Sequence, residues 1–418
     1  MVIPGSTTDY QLTPIAFSTP VFSDNVQDLL GVGILSQNLN AIITVNSTAD
    51  VLDDSDGVTS LREAIISANA DDGEDTIVFE RALFSTVETI TLTGGELDIT
   101  DNLSIIAPRD TLTGGDLVTI SGNNTSRVFE IEEEATVRLN GLIIADGRVG
   151  DNGDGIRNSS TLILDNSIIR DSSAISIDDR GIINNPNGGG IFKTGRLSVN
   201  NSTISSNRTT NGTGTGGISN TGGTISVNHS TISGNSSEFG GGGISNSSGI
   251  SVNHSTISGN LSEFGGGISN SSGISVNHST ISGNSSLSSR FDSGGGISNR
   301  GKFLLNNSNV SGNSVTGNFG SGGGIFNGSI RSDTPNITII NSTISGNSAP
   351  ENGGGIFNDY NGTVTLLFST LTQNQAANGG GVYSRTGSNS VQNPIIASNL
   401  NSDNGVNPDV SDTFTSNG

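Results

Sequence analysis

Eight times between residues 188 and 382 the chain repeats a Gly-Gly-(Ile/Val) step, usually within GGGIxN, and an NST(I/V)SGN-like phrase follows each copy at nearly constant distance. The repeated aliphatic falls at Ile191, Ile218, Ile244, Ile268, Ile297, Ile325, Ile356 and Val382, with spacings of 27, 26, 24, 29, 28, 31 and 26 residues. The shortest unit, GGGISNSSGISVNHSTISGNLSEF, holds three alternating runs, Ile244-Ser-Asn, Ile250-Ser-Val and Thr256-Ile-Ser, bounded by Gly, Asn or Ser. Alternation with period two, punctuated by turn residues, predicts three strands per repeat. One such unit cannot bury its own apolar face. Copies must therefore stack, with strands in parallel about 4.8 Å apart and a right-handed coil. The extra residues of longer repeats collect after SGN, in 285–293 and 315–321, where insertions read as loops at one corner.

Composition fits a thin cylinder. Sixty Gly in 418 residues, no Trp, no Cys, three Tyr and one Met cannot build a large globular core, but stacked small aliphatics can fill a narrow bore. Burying one of them contributes roughly 1.5–3 kcal/mol, whereas ordering a residue costs about 1–2 kcal/mol of backbone entropy. A lone coil is unstable on those terms, and neighbours hold it.

Asparagine marks two further columns. Asn207, Asn235, Asn260, Asn284, Asn313, Asn347, Asn374 and Asn399 end the third run of successive repeats, and Asn220, Asn246, Asn270, Asn299, Asn327 and Asn358 end the first. Each column is expected to form a ladder, with the amide donating to one copy and accepting from another, and with Asn taking the left-handed backbone of a tight corner. Their match to glycosylation sequons is weak in a chain so rich in Asn, Ser and Thr.

Ahead of the repeats the character changes. Residues 1–187 hold 30 of the 39 acidic and 9 of the 17 basic residues, so they carry nearly all of the net charge of −22. That balance argues against nucleic acid as a partner. Ser60 with Glu63 three residues on is a capping box, and Leu61, Ala64, Ile65 and Ala68 share one face, which predicts a helix over 60–69 covering the open end of the sheets. From Thr89 onward less regular strands continue the same cylinder. The expected fold is all-β, a right-handed parallel β-helix (solenoid) of roughly eleven to thirteen coils with a short N-terminal capping helix. The expected divisions are an irregular segment 1–40, a cap 41–88, the β-helix 89–400 with regular repeats from 188, and a terminal segment 401–418.

Residues 42–79, IITVNSTADVLDDSDGVTSLREAIISANADDGEDTIVF, together with ISGNNTSRVFEIEEEATVRLNGLII and the GGGIxN and NSTISGN repeats, resemble bacterial proteins carrying the CSLREAI motif. The similarity spans about residues 42–417. More loosely, the repeats resemble those of polymorphic outer-membrane proteins. The resemblance implies a right-handed parallel β-helix displayed outside the cell. Thr59 stands where the motif has Cys, so no thiol role carries over. The terminal PDVSDTFTSNG resembles a segment that runs on into further strands and an anchoring region, and a last coil without a cap would expose unpaired strand, so a fragment, a missing C-terminal domain or an end-to-end partner is expected. No apolar stretch is long enough to span a membrane or to serve as a signal peptide.

Candidate chemistry competes with plain structure. His229, His254 and His278 occupy one position of consecutive repeats, where stacking could grip a transition metal, yet Asn201, Asn307, Asn341 and Phe368 hold the same position elsewhere. Asp53, Asp54 and Asp56, and Asp71, Asp72, Glu74 and Asp75, are oxygen clusters that could take calcium, although neither has EF-hand spacing. No cofactor is required. Residues 188–384 hold six acidic side chains, Glu238, Glu263, Asp292, Asp333, Glu351 and Asp359, with no recurring pair. Asp146, Asp151, Asp154, Arg157, Asp165, Arg170 and Asp171 are denser and are where an active site would lie. Outward hydroxyls flank an inward aliphatic at Thr203/Ser205, Thr231/Ser233, Thr256/Ser258, Thr280/Ser282, Thr343/Ser345 and Thr370/Thr372, making a candidate binding face. The expected role is a noncatalytic extracellular or cell-surface stalk or adhesin that binds glycans or proteins. The alternative is a carbohydrate-active lyase, hydrolase or epimerase, and a minor one is a hydroxyl array for ice or glycan.

Overall fold

A computed structural model describes residues 40–175, 187–210, 214–288, 293–329, 334–402, 409–411 and 414–416, all within one compact unit, Asn38–Gly418. Residues 1–39, Asp292, Asp333 and much of 401–418 lie outside the described residues.

In the 24-residue unit the three runs are strands Ile244–Asn246, Gly249–Asn253 and Thr256–Ser258. Each pairs in parallel with its counterpart one coil on: Ile244 faces Ile268, Ile250 faces Ile274 and Ile257 faces Ile281. Along the chain this produces a 12-stranded sheet of Ile-x-Asn strands, a 14-stranded sheet made mostly of five-residue strands, and a 12-stranded sheet of Thr-Ile-Ser-like strands. The whole is an all-β parallel solenoid of about eleven turns, and the crossover preference makes it right-handed. Ile244, Val252 and Ile257 are fully buried, and their counterparts continue these columns until the last coil, where Val391 and Ile396 are partly exposed.

A fourth short strand follows in several coils, Ser236–Ser237, Leu261–Ser262 and Ser285–Ser286 among them, in a six-stranded sheet. It occupies the start of the segment read from sequence as a corner loop. Two residues carry no alternation, so periodicity gives no sign of them.

The corners correct one expectation. The Asn residues at the ends of the first and third runs stay out of the left-handed region; at the third-run corner the preceding residue takes it, Gly234, Gly259 and Gly283 having φ of 63°, 62° and 61°. Glycine bears that backbone without steric penalty, which frees the Asn to turn inward. A second left-handed corner lies between the five-residue and Thr-Ile-Ser strands. There Asn201, His229, His254, His278, Asn307, Asn341 and Phe368 all have φ between 46° and 52°. The residue choice at that position follows the tolerance of Asn and His for this conformation.

Inside, the Asn side chains bond lengthwise. Asn235 Nδ2 donates to Asn260 Oδ1 at 3.0 Å and to Ile204 O at 3.0 Å, and Asn235 N donates to the same Asn260 Oδ1. Asn207, Asn284, Asn313, Asn347 and Asn374 repeat this pattern toward Asn399. In the other column Asn220, Asn246, Asn270, Asn299 and Asn327 each donate to the next as far as Asn358, which donates on to Asn389 Oδ1. Two ladders carry no sequence forecast. Asn253 donates back to Asn228 and Asn228 to Asn200 on the outer wall, while buried Ser230 and Ser255 accept from the backbone of Ser202 and Ser230.

Lys193 interrupts the first-run Asn column, between Asn158 and Asn220 in register. It is fully buried, and Nζ donates to Asn220 Oδ1 at 2.6 Å and to Gly222 O. Burial lowers its pKa from 10.5 to about 8. Between those values the unfolded chain binds the extra proton, so wild-type stability should rise with pH from about 8 to 10.5. Lys193→Met should remove that rise, which urea midpoints for the two proteins across this range would measure.

The helix α1, Leu61–Ala70, closes the N-terminal end against strands Ile42–Val45, Asp75–Phe79 and Leu97–Ile99. Ser60 Oγ accepts from Glu63 N, and Glu63 Oε2 accepts from Ser60 N. Leu61, Ala64, Ile65 and Ala68 are buried. Arg62 reaches sideways to Asp50 and to the carbonyls of Gly95 and Glu96. Every residue of Ser-Leu-Arg-Glu-Ala-Ile thus has a mechanical task at this end.

Candidate functional site

The acidic loop before α1 is built from local turns. Asp53 Oδ1 accepts from Ser55 N and Ser55 Oγ, and Asp56 Oδ1 accepts from Val58 N. The Ser55 hydroxyl and amide hold the Asp53 carboxyl below its ordinary value. Asp54 is exposed beside them. For the calcium that Asp53, Asp54 and Asp56 could take, no ligand set is gathered: among the described residues no group of three or more His, Asp or Glu is placed to hold a metal ion. In the second cluster Asp75 is buried at a strand start, where Oδ1 accepts from Ala41 N, while Asp71 and Asp72 stay exposed.

The three histidines form a stack. Ring centroids of His229, His254 and His278 are 5.0 and 4.9 Å apart with planes within 8°. Imidazole lone pairs lie in the ring plane, so parallel rings do not converge on one ion.

The dense charges of residues 146–171 separate onto different walls. Asp165 pairs with Arg138 at 2.7 Å, Arg170 pairs with the adjacent Asp171, and Asp146 accepts from Ser121 Oγ. Only Asp151, Asp154 and Arg157 come together, and they join residues that the sequence did not single out. Asp98, Glu130 and Arg157 occupy the central, outward position of three neighbouring Ile-x-Asn-sheet strands, in register. Arg157 Nη1 lies 3.1 Å from Glu130 Oε1. Arg127, almost fully buried, bonds Glu96, Glu130 and the carbonyls of Asn152 and Gly153. Burial pushes the Glu130 carboxyl up against the pull of Arg127 and Arg157. It pushes Asp154 well above its ordinary value, and Asp154 Oδ2 has no hydrogen-bond partner among the described residues. The sequence signal was available: the period that places Arg157 outward also places Glu130 and Asp98 there.

On the Thr-Ile-Ser sheet the hydroxyls stand in register. Thr231 faces Thr256 and then Thr280, and Ser233 faces Ser258 and then Ser282. The columns extend back to Thr203 and Ser205 and forward to Thr370 and Thr372, with Asn309 replacing Thr in one coil. The flanking Ile232, Ile257 and Ile281 point into the bore. The result is a half-exposed wall without ionisable side chains at either outward position of these coils.

No family model and no curated protein matches the chain. Among solved structures it is similar to a mannuronic-acid-specific polysaccharide family 6 lyase from the human gut microbiota, with a TM-score of 0.36 and 10% identity over 84% of this chain and 86% of that one. Among the described residues no helix is long and apolar enough to cross a membrane.

Proposed function

We propose that the protein recognises glycans along the wall of its solenoid, as a rigid noncatalytic stalk or adhesin of the cell exterior. The observation that supports this is the hydroxyl wall, two in-register columns from Thr203/Ser205 to Thr370/Thr372. Strand pairing holds these donors and acceptors at fixed spacing, so little ordering entropy is lost when a sugar binds. The resemblance of residues 42–79 and of the repeats to CSLREAI-motif proteins supports the extracellular setting.

A second reading, a carbohydrate-active enzyme, is favoured by one observation. Asp98, Glu130 and Arg157 project from adjacent strands, and burial raises the Glu130 carboxyl toward the range of a general acid. A polysaccharide panel scored for retention and for new reducing or unsaturated ends separates the two. Retention without cleavage is the expected result. If new ends appear, and Glu130→Gln lowers their formation about 100-fold or more with retention unchanged, the enzyme reading replaces the stalk.

A further inference from the structure

On the five-residue sheet the first outward position runs Thr224, Gly249, Gly273, Lys302, Asn336 and Thr363 through successive coils. The two glycines open a notch two coils long, ~9.6 Å at ~4.8 Å per strand. Neither has the left-handed backbone that calls for glycine. Nor is either short of room: a Cβ on Gly273 would meet nothing within 4 Å, and one on Gly249 only Thr224 Cγ2 at 3.9 Å. At Gly267, by contrast, a Cβ would stand 2.7 Å from Gly296 O. Each glycine is the first residue of its strand, at an outward position where a side chain would cover the wall. Here the fold does not use the space the two glycines leave.

That space is a shallow, open depression of about 620 Å³ on the outer wall. Its floor is apolar, chiefly the half-exposed, outward Leu304, with Ile250, Ile274 and Phe303 only 3–5% exposed beneath it. Ser275 and Thr338 supply hydroxyls at its side. Lys302 stands at its end and is shared with an adjoining open depression of about 610 Å³ that Arg300 also lines.

We propose that this notch is a binding site for an anionic oligosaccharide. The C–H face of a sugar ring lies on the aliphatic floor, its hydroxyls meet Ser275 and Thr338, and its carboxylate or sulfate meets the Lys302 ammonium. Charge complementarity is local. Residues 188–418 hold nine acidic and eight basic residues, so the notch sits in a nearly neutral stretch of a strongly acidic chain. The acidic N-terminal coils are screened beyond about 8 Å at physiological ionic strength. The proposal rests on the glycan reading only in taking the ligand to be a sugar, because the notch and the hydroxyl wall lie on different sheets.

The test is calorimetric titration of the full chain with an oligogalacturonate and with a neutral cello-oligosaccharide of equal length. Wild type should prefer the uronate, and the preference should shrink as salt is raised. Lys302→Gln should weaken uronate binding about fivefold, the upper range of an exposed ion pair. Gly273→Thr, which places in the notch the residue that Thr224 and Thr363 supply elsewhere in the same column, should abolish it while the melting temperature holds or rises. Equal affinity for both sugars, indifferent to Lys302→Gln, overturns the anionic assignment and leaves glycan recognition standing. Uronate binding that survives Gly273→Thr overturns the notch as its site. Binding of neither sugar to wild type overturns this proposal, while retention of other glycans on the panel would leave the hydroxyl wall intact.

Discussion

Asn260→Ala should lower stability by about 3–5 kcal/mol, because it orphans several buried groups at about 1–3 kcal/mol each. Asn260 Oδ1 accepts both Asn235 N and Asn235 Nδ2, and Asn260 Nδ2 serves Ile232 O and Asn284 Oδ1. Asn235 Nδ2 keeps Ile204 O, but its backbone N–H has no second acceptor among the described residues, and water cannot reach a residue that is fully buried. Asn253→Ala is the internal control. It breaks the outer ladder, where Asn253 donates to Asn228 and accepts from Asn277, but its partners are half-exposed and water can replace the lost amide. That variant should lose less than about 1 kcal/mol. Urea denaturation of both, read by circular dichroism, tests the difference. Equal losses would mean that ladder burial is not what stabilises the stack.

The repeat made most of this fold legible before any coordinates. Ile244, Ile250, Val252 and Ile257 alternate with hydroxyls at period two, and that alone assigns bore and wall. What the pattern hid lies where a contact crosses coils without a periodic signature. Lys193 holds the Asn place of its GGGIxN copy, but nothing in the repeat shows that a lysine there is buried with its ammonium on Asn220 and Gly222. The left-handed third-run corner was assigned to Asn260, although Gly259 beside it takes the backbone strain and Asn260 takes the hydrogen bonds. The candidate sites were harder to read for the same reason. Arg157 belongs to a dense run along the chain, but its partner Glu130 is 27 positions earlier and is adjacent only after stacking. The neighbours in sequence, Asp165, Arg170 and Asp171, face other walls. Gly249 and Gly273 looked like two more of 60 glycines, and only the empty space beside them separates them from the glycines that packing demands.

The stacking principle itself predicts the largest single effect. Ile297 is fully buried, between Ile268 one coil before and Ile325 one coil after, in a column of aliphatics. Ile297→Asp removes about 1.5–3 kcal/mol of burial and leaves a carboxyl whose ionised form costs several kcal/mol more to hold in an apolar bore without a partner. Its folded pKa must then lie above its unfolded value. The folded state binds the extra proton between the two, so the variant should grow less stable as pH rises from about 4 toward 7. The footprint matters more than the size. Each coil contacts only its neighbours, and a coil alone cannot meet its ordering entropy, so a break at Ile297 should propagate in both directions. Amide hydrogen exchange should show lost protection in the strands that begin at Ile268 and Ile325 as well as at Ile297, fading over a few coils. If protection were lost only between Ile297 and Ser321, with neighbouring coils unchanged, each coil would be a stable unit in its own right. The cooperative account of this solenoid would then fail.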